Sequence, residues 1–250
     1  MWARTFLFFL LIAVPVLARA QVVNIENKRF ANDTARWSAQ GGFRFHVTEN
    51  TQRSTALGAH GGVQYVHDAH RAFFVTDLTV DRVESNAFRN TGFQHVRYNY
   101  HWRGPLYAEG FAQLQYNKPL RIDERWLIGV GPRLVLKDTT NFRLVLGTAI
   151  MGEYEVDRVN ELMYTGTRSS SYLSVAFKIE PQLQFTFLMY YQPKIGEIKD
   201  NRISIEGLLR VRATRRFAID TRLNLQRDTR MAPGIPELNY RWENAFTFIF

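Results

Sequence analysis

Residues 125–137 read RWLIGVGPRLVLK, and they alternate between two kinds of side chain. Every second position is large and apolar, from Trp126 to Leu136. The positions between them mix Arg125 and Arg133 with glycines and other side chains. Because successive side chains of an extended strand point to opposite faces, the stretch predicts a β-strand with one apolar face and one face that carries charge.

The same period of two continues from Thr34 to the end of the chain, and helical spacing is not sustained anywhere in it. Short clusters of Gly, Pro, Asn, Asp, Thr or charged residues separate the alternating segments. The pattern therefore predicts an all-β fold. Its twelve strands are expected at about 35–47, 53–66, 70–82, 91–102, 105–117, 123–137, 140–155, 169–179, 182–192, 201–212, 216–227 and 238–250.

Two β architectures would use such strands differently. A soluble sandwich or lipocalin-like barrel has its apolar face inside, whereas a membrane barrel has that face outside and a polar lumen. The strands are long enough to cross a bilayer, which takes about 9–11 tilted residues. Tight links such as 103–105 alternate with longer ones at 81–90, 157–167, 193–200 and 228–236. Short turns at one end and longer loops at the other favour a transmembrane antiparallel β-barrel with both termini in the periplasm.

The first twenty residues are predicted to be a cleaved secretory signal peptide. Arg4 precedes an unbroken apolar run at 6–17, and Ala18 and Ala20 are the small residues expected just before a cleavage site at Gln21. The run is shorter than the roughly 20 residues of a spanning helix. We therefore expect a protein exported to the outer membrane of a Gram-negative bacterium. Its parts are a signal peptide (1–20), a periplasmic N-terminal segment (21–33) and the barrel (34–250).

The chain ends on aromatic residues in one phase, with Phe246, Phe248 and Phe250 at alternate positions. This end resembles the C-terminal recognition strand of bacterial outer-membrane proteins, which implies insertion by the barrel-assembly machinery. The leader, size, tight turns and terminal Phe are also similar to those of a family of small outer-membrane barrels of unknown function, the salt-induced outer membrane protein type. The resemblance implies a barrel surrounded by outer-membrane lipids, and it brings no catalytic residues.

Charged residues of the non-apolar face are predicted to line the lumen. The candidates are Arg97, Glu109, Arg125, Arg133, Arg143, Glu153, Arg202, Glu206, Arg222 and Arg241. Counting across the tight turns predicts three directly opposed pairs, namely Arg125–Glu153, Glu206–Arg222 and Asn99–Glu109. Opposed pairs of this kind stabilise a sheet and fix its register.

Two functions without enzymatic chemistry follow from a charged lumen. In the first, ion pairs fill a structural barrel. In the second, the inward arginines outnumber the inward carboxylates, and a narrow pore through the lumen weakly favours small anionic solutes. The longer links are too short to predict a folded plug, so occlusion is expected to come from side chains. The formal charge is +9, but the arginines are spread over the strands rather than clustered, which disfavours nucleic-acid binding.

Some outer-membrane barrels are enzymes, and the alternative function is a lipid hydrolase that uses a Ser/His pair. Its candidates are Ser169–Ser171 and the six histidines, none of which lies near these serines in the sequence. His67, Asp68 and His70 are types of metal ligand, but they fall in a predicted tight turn. The chain has no cysteine, which excludes thiolate sites. We expect no enzyme activity, no cofactor and no metal site.

Overall fold

The computed structural model describes residues 36–49, 53–83, 90–214 and 217–248. They form twelve antiparallel strands in one sheet, together with a 3-10 turn at Lys118–Leu120. Strands β1 to β12 are Trp37–Glu49, Arg53–His67, His70–Val83, Thr91–Arg103, Leu106–Asn117, Ile122–Asp138, Phe142–Asp157, Leu162–Glu180, Leu183–Lys194, Glu197–Arg212, Phe217–Asp228 and Leu238–Phe248. The predicted all-β fold and the predicted number of strands are confirmed.

Several predicted features lie outside the described residues. They are the signal peptide (1–20), the segment 21–33 and the terminal Phe250. The backbones of Phe246 and Phe248 belong to β12, but their side chains are not described. These features therefore stay predictions.

Each strand pairs with its neighbours in the sequence, so the sheet order runs from β1 to β12 without a crossover. Contacts between strands that are distant in this order show that the sheet curls around its polar face. Arg125 on β6 lies 3.8 Å from Asp228 on β11, and Tyr172 on β8 donates a hydrogen bond to Glu109 on β5. The described residues form no ladder between β12 and β1.

The two faces of the sheet have inverted polarity relative to a soluble protein. On β6, Ile128 is 68% exposed and Val130 is 67% exposed, whereas Arg133 is 1% exposed. The same alternation runs along β4, where Val96 faces outward and Arg97 is buried. An apolar outer surface around a charged interior is the arrangement that a bilayer requires. Within the described residues, no helix has the length and apolar character to span a membrane.

Two of the predicted long links are wrong. Strand β8 begins at Leu162 and β10 at Glu197, which leaves links of 158–161 and 195–196. Residues 162–167 read LMYTGT, a mixed segment, and their backbones pair with β7, as Tyr164 does with Glu155. A hydrogen-bonded ladder does not need a continuous apolar face, so the mixed and polar composition of these segments misplaced the boundaries.

Two of the three predicted cross-strand pairs are also wrong, each by two residues. Arg125 lies opposite Glu155 rather than Glu153, because the β6–β7 link is 139–141 and a register shift follows at 135–137. Glu206 lies opposite Asn224. A shift of two residues leaves every side chain on its predicted face. The third predicted pair, Asn99 opposite Glu109, is confirmed.

Candidate functional site

The interior holds a set of four guanidiniums and four carboxylates, called here the arginine–carboxylate bundle. Its members are Arg125, Arg168, Arg202, Arg230, Glu153, Glu155, Asp200 and Asp228. They come from β6, β7, β8, β10, β11 and the link that follows β11. The formal charges of the bundle cancel.

Arg202 is the centre of the bundle. Its Nε donates to Asp228 Oδ2 at 2.5 Å, and its Nη2 donates to Glu155 Oε2 at 3.2 Å. Its Nη1 donates to Glu153, so one guanidinium contacts three carboxylates. Arg202 is 4% exposed. Burying an ion costs several kcal/mol unless partners and hydrogen bonds surround it, and here each edge of the guanidinium has a partner.

Arg168 extends the bundle toward the β9–β10 hairpin. Its Nε donates to Glu153 Oε2 and its Nη2 to Asp200 Oδ1, both at 2.6 Å. The other oxygen of Asp200 accepts from Arg230 Nη1 at 3.0 Å. Glu153 therefore bridges Arg168 and Arg202, and Asp200 bridges Arg168 and Arg230. The contacts form a continuous chain across the interior.

A second buried group, the arginine–tyrosine group, consists of Arg97, Arg133, Glu109 and Tyr172. The two arginines approach different oxygens of Glu109, at 3.3 and 3.5 Å. The Tyr172 hydroxyl accepts from Arg133 Nη1 at 2.8 Å and donates to Glu109. Both guanidiniums also lie over the tyrosine ring, at 5.8 and 5.9 Å from its centroid. The ring fits there because the adjacent Gly147 has no Cβ to collide with it.

A cavity of about 50 Å³ lies between these two groups. Residues of eight strands, β4 to β11, line it. They are His95, Arg97, Phe111, Gln113, Gln115, Arg125, Leu127, Met151, Ser170, Tyr190, Gln192, Arg202 and Gln226.

Two links at one end of the barrel are joined by apolar contacts. Leu120 and Ile122, beside the β5–β6 link, pack against Met231 and Ile235 of the β11–β12 link. In addition, Arg121 Nη1 donates to the carbonyl oxygen of Pro233 at 2.9 Å. These contacts join two links at the same end of the sheet, and they involve side chains rather than a folded plug among the described residues. The link at 229–237 reaches across this end, since β5–β6 and β11–β12 are separated by half the sheet.

The structure brings together six of the ten predicted lumen residues. Arg125, Glu153 and Arg202 are in the bundle, and Arg97, Glu109 and Arg133 are in the arginine–tyrosine group. The other four lie elsewhere on the inner face. Arg143 is 3.7 Å from Asp138, Glu206 is 3.9 Å from Arg222, and Arg241 is half-buried on β12.

Several interior residues were missed from the sequence. Asp200 fell within a predicted link, and Arg168 fell between a predicted link and the strand predicted at 169–179. Tyr172 lay on a strand whose inner face was not assigned. Tyr172 lies two residues after Ser170 on β8, so the two-residue period could have placed both side chains on the same face. The predicted set also omitted buried carboxylates, namely Asp77, Asp81, Asp157, Asp200 and Asp228. The expected positive excess is therefore not found among the buried side chains that the structure describes.

A serine and a histidine of the kind needed for hydrolysis lie at the same cavity, but their hydrogen bonds go to other residues. Ser170 and His95 line the same cavity, although they are distant in the sequence. His95 Nδ1 is bonded to Gln113 at 3.0 Å, and its Nε2 accepts from Arg97 at 3.3 Å. The Ser170 hydroxyl accepts from Gln192. Both imidazole nitrogens thus have partners other than the serine.

The predicted turn at His67–His70 is confirmed. Asp68 adopts a left-handed conformation there, with φ of 50°, and His67 is paired with His70 in the ladder. Across the part of the chain that the structure describes, no group of three or more His, Asp or Glu side chains has the arrangement of a metal site.

An antiparallel barrel with an apolar outer surface and a charged interior belongs to the transmembrane β-barrel class. Residues 47–243 match the model of a family described as "Protein of unknown function, DUF481". The chain belongs to this family, and the expected membership of a barrel family of unknown function is confirmed.

Two solved structures are similar to the chain. The first is described as "NanC porin structure in rhombohedral crystal form", with a TM-score of 0.49 and 11% identity over 86% of this chain and 100% of that one. The second is the β domain of the Bordetella autotransporter BrkA, with a TM-score of 0.38 and 10% identity over 86% of this chain and 98% of that one. No curated protein matches the chain.

Proposed function

We propose that this protein is a non-enzymatic outer-membrane barrel whose lumen is closed by its own ion pairs. The observation that carries the proposal is the bundle, in which Arg125 on β6 reaches Asp228 on β11. Arg202 connects the same carboxylate to β7 through Glu153. A hydrated ion passing this level has to separate guanidinium–carboxylate contacts that are stronger in a low-dielectric interior than in water.

The location and assembly follow from the parts of the chain that flank the barrel. The leader directs export with cleavage before Gln21, and both termini lie in the periplasm. The terminal aromatic strand serves the barrel-assembly machinery, and lipids of the outer membrane surround the apolar outer face. Neither a cofactor nor a nucleic acid is part of this function.

Conductance of the purified, refolded barrel in a planar bilayer tests the closed lumen. The wild-type barrel is expected to show no steady conductance, whereas Glu153→Ala and Arg202→Ala are expected to open a path. Arg212→Ala is the control, since Arg212 is exposed at the end of β10. Steady conductance of the wild type at a level that the Arg202 change does not increase would refute the proposal.

A narrow anion-favouring pore is the second candidate. It is supported by the guanidiniums of Arg97, Arg125 and Arg202, which line the cavity inside the barrel. Low-dielectric walls strengthen the field of such charges on a permeating ion. Anion selectivity of the wild type that weakens in Arg97→Ala or Arg133→Ala would support the pore. Cation selectivity would contradict it.

The hydrolase alternative has one observation in its favour, the shared cavity of Ser170 and His95. The hydrogen-bond partners of both residues weigh against it. His95 is bonded to Gln113 and Arg97, and Ser170 is bonded to Gln192. The wild type is expected to release no fatty acid from phospholipid vesicles. Release that Ser170→Ala removes would establish an enzyme.

A further inference from the structure

We propose that the interior cavity binds one small oxyanion that carries a hydroxyl group, of which hydrogen phosphate is the simplest. The cavity measures about 50 Å³. One water needs roughly 10–15 Å³ of such space, so there is room for a compact group of a few oxygen atoms. The site deepens the function proposed above, since a lumen closed at both charge groups retains a ligand between them.

The charged wall of the cavity selects an anion. Arg97, Arg125 and Arg202 line it, and they are 2%, 3% and 4% exposed. None of the described lining residues is Asp or Glu. The carboxylate partners of Arg125 and Arg202 belong to the bundle and stand outside the lining. The arginine–tyrosine group beside the cavity has two guanidiniums and one carboxylate, Glu109, so its formal charge is +1. Guanidiniums are the preferred partners of oxyanions.

The neutral wall adds hydrogen-bonding groups around the same space. The amides of Gln113, Gln115 and Gln192 and the hydroxyl of Ser170 line it together with Gln226. Such groups, placed between buried arginines, are able to complete the coordination of an oxyanion once water is excluded.

Gln226 distinguishes one kind of oxyanion from another. It is 6% exposed, and its Oε1 accepts no hydrogen bond from any described residue. A buried carbonyl oxygen without a donor is costly. Hydrogen phosphate has a hydroxyl that donates to this oxygen, whereas sulfate at neutral pH has none. The cavity is therefore expected to prefer phosphate over sulfate.

Equilibrium dialysis of radiolabelled phosphate against the refolded mature barrel in detergent tests the site, with sulfate as the competitor. Dialysis suits a buried site, because slow entry does not affect the end point. One phosphate per barrel is expected, and sulfate should compete at least about tenfold less well. Gln226→Leu should remove this preference, and Arg97→Gln should weaken phosphate binding at least about tenfold. Arg143→Gln changes an inner-face arginine outside the cavity and should leave binding unaltered.

Either of two results overturns the proposal. One is the absence of saturable uptake by the folded wild type up to about 10 mM phosphate. The other is equal competition by sulfate together with unchanged binding in Gln226→Leu. Heat-modifiable migration verifies that each variant is folded, and if Arg97→Gln does not fold, Gln226→Leu still tests the site. Conductance and phosphate binding are measured independently. If the barrel conducts and also binds phosphate, the closed lumen is refuted and the binding site is not.

Discussion

The guanidinium of Arg125 on β6 lies 3.8 Å from the carboxylate of Asp228 on β11, although the two strands are far apart in the sheet order. The contact therefore crosses the interior instead of following the sheet. Asp228 also accepts from Arg202 on β10 at 2.5 Å. Ion pairs therefore connect distant strands on the inner face of the sheet, where a soluble domain has apolar contacts.

Replacing Arg202 with Met should destabilise the barrel strongly. The change leaves Glu153, Glu155 and Asp228 without their shared cation, and removing one partner of a buried pair costs about 3–5 kcal/mol. The free energy of unfolding in urea, measured on barrels refolded in lipid, checks this. Arg212→Met, at an exposed position, should change it by less than about 0.5 kcal/mol. Equal stability of the two variants would contradict a structural role for the bundle.

Replacing Gly131 with Ala should also destabilise the barrel. A Cβ at Gly131 would collide with the carbonyl oxygen of Thr148 and would approach the Cα of Ala149 to 2.6 Å. These are backbone atoms of β7, so the strand itself has to shift, and overpacking costs about 1–3 kcal/mol. Gly207→Ala on β10 is the matched control, because a Cβ there meets nothing within 4 Å. Urea unfolding should separate the two variants.

A charge on the outer face should be tolerated only near the ends of the strands. Ile128 is 68% exposed in the middle of β6, and Ile198 is 70% exposed beside the β9–β10 turn. Ile128→Lys should cost about 2–4 kcal/mol and Ile198→Lys at most about 1 kcal/mol, since the penalty follows depth in the bilayer. Folding yield into vesicles and urea unfolding measure both. Similar penalties would mean that residue 128 does not face lipid.

Replacing Phe250 with Ala should lower assembly in cells more than stability. The terminal aromatic strand is predicted to be recognised during insertion, so the change is expected to act on assembly. The amount of protein in the outer membrane is expected to fall, while unfolding of the refolded variant changes little. Phe142→Ala removes an exposed aromatic at the start of β7 and serves as the control. An unchanged amount of the Phe250→Ala variant in the outer membrane would contradict recognition of the terminal strand during insertion.

Much of the fold was predictable because the period of a strand is local. The alternation in 125–137 assigned Ile128 outward and Arg133 inward without any tertiary information, and both assignments are confirmed. Boundaries were less predictable where a ladder continues through mixed or polar segments, as in those that begin at Leu162 and Glu197. The composition of a segment indicates whether its side chains face water or an apolar environment. Strand pairing depends instead on backbone hydrogen bonds, which any residue except proline donates.

The sequence by itself determined the all-β fold, the twelve strands and the face on which side chains of the clearly alternating segments lie, because these follow from a two-residue period read along the chain. Only the tertiary structure decided which inward groups meet. Arg202 and Glu153 are on strands that are not neighbours, and Tyr172 reaches Glu109 from β8 to β5. Such contacts depend on how the sheet curls and how its strands are staggered. Those quantities are set by twist, register shifts and packing summed over many strands, and no local pattern records them.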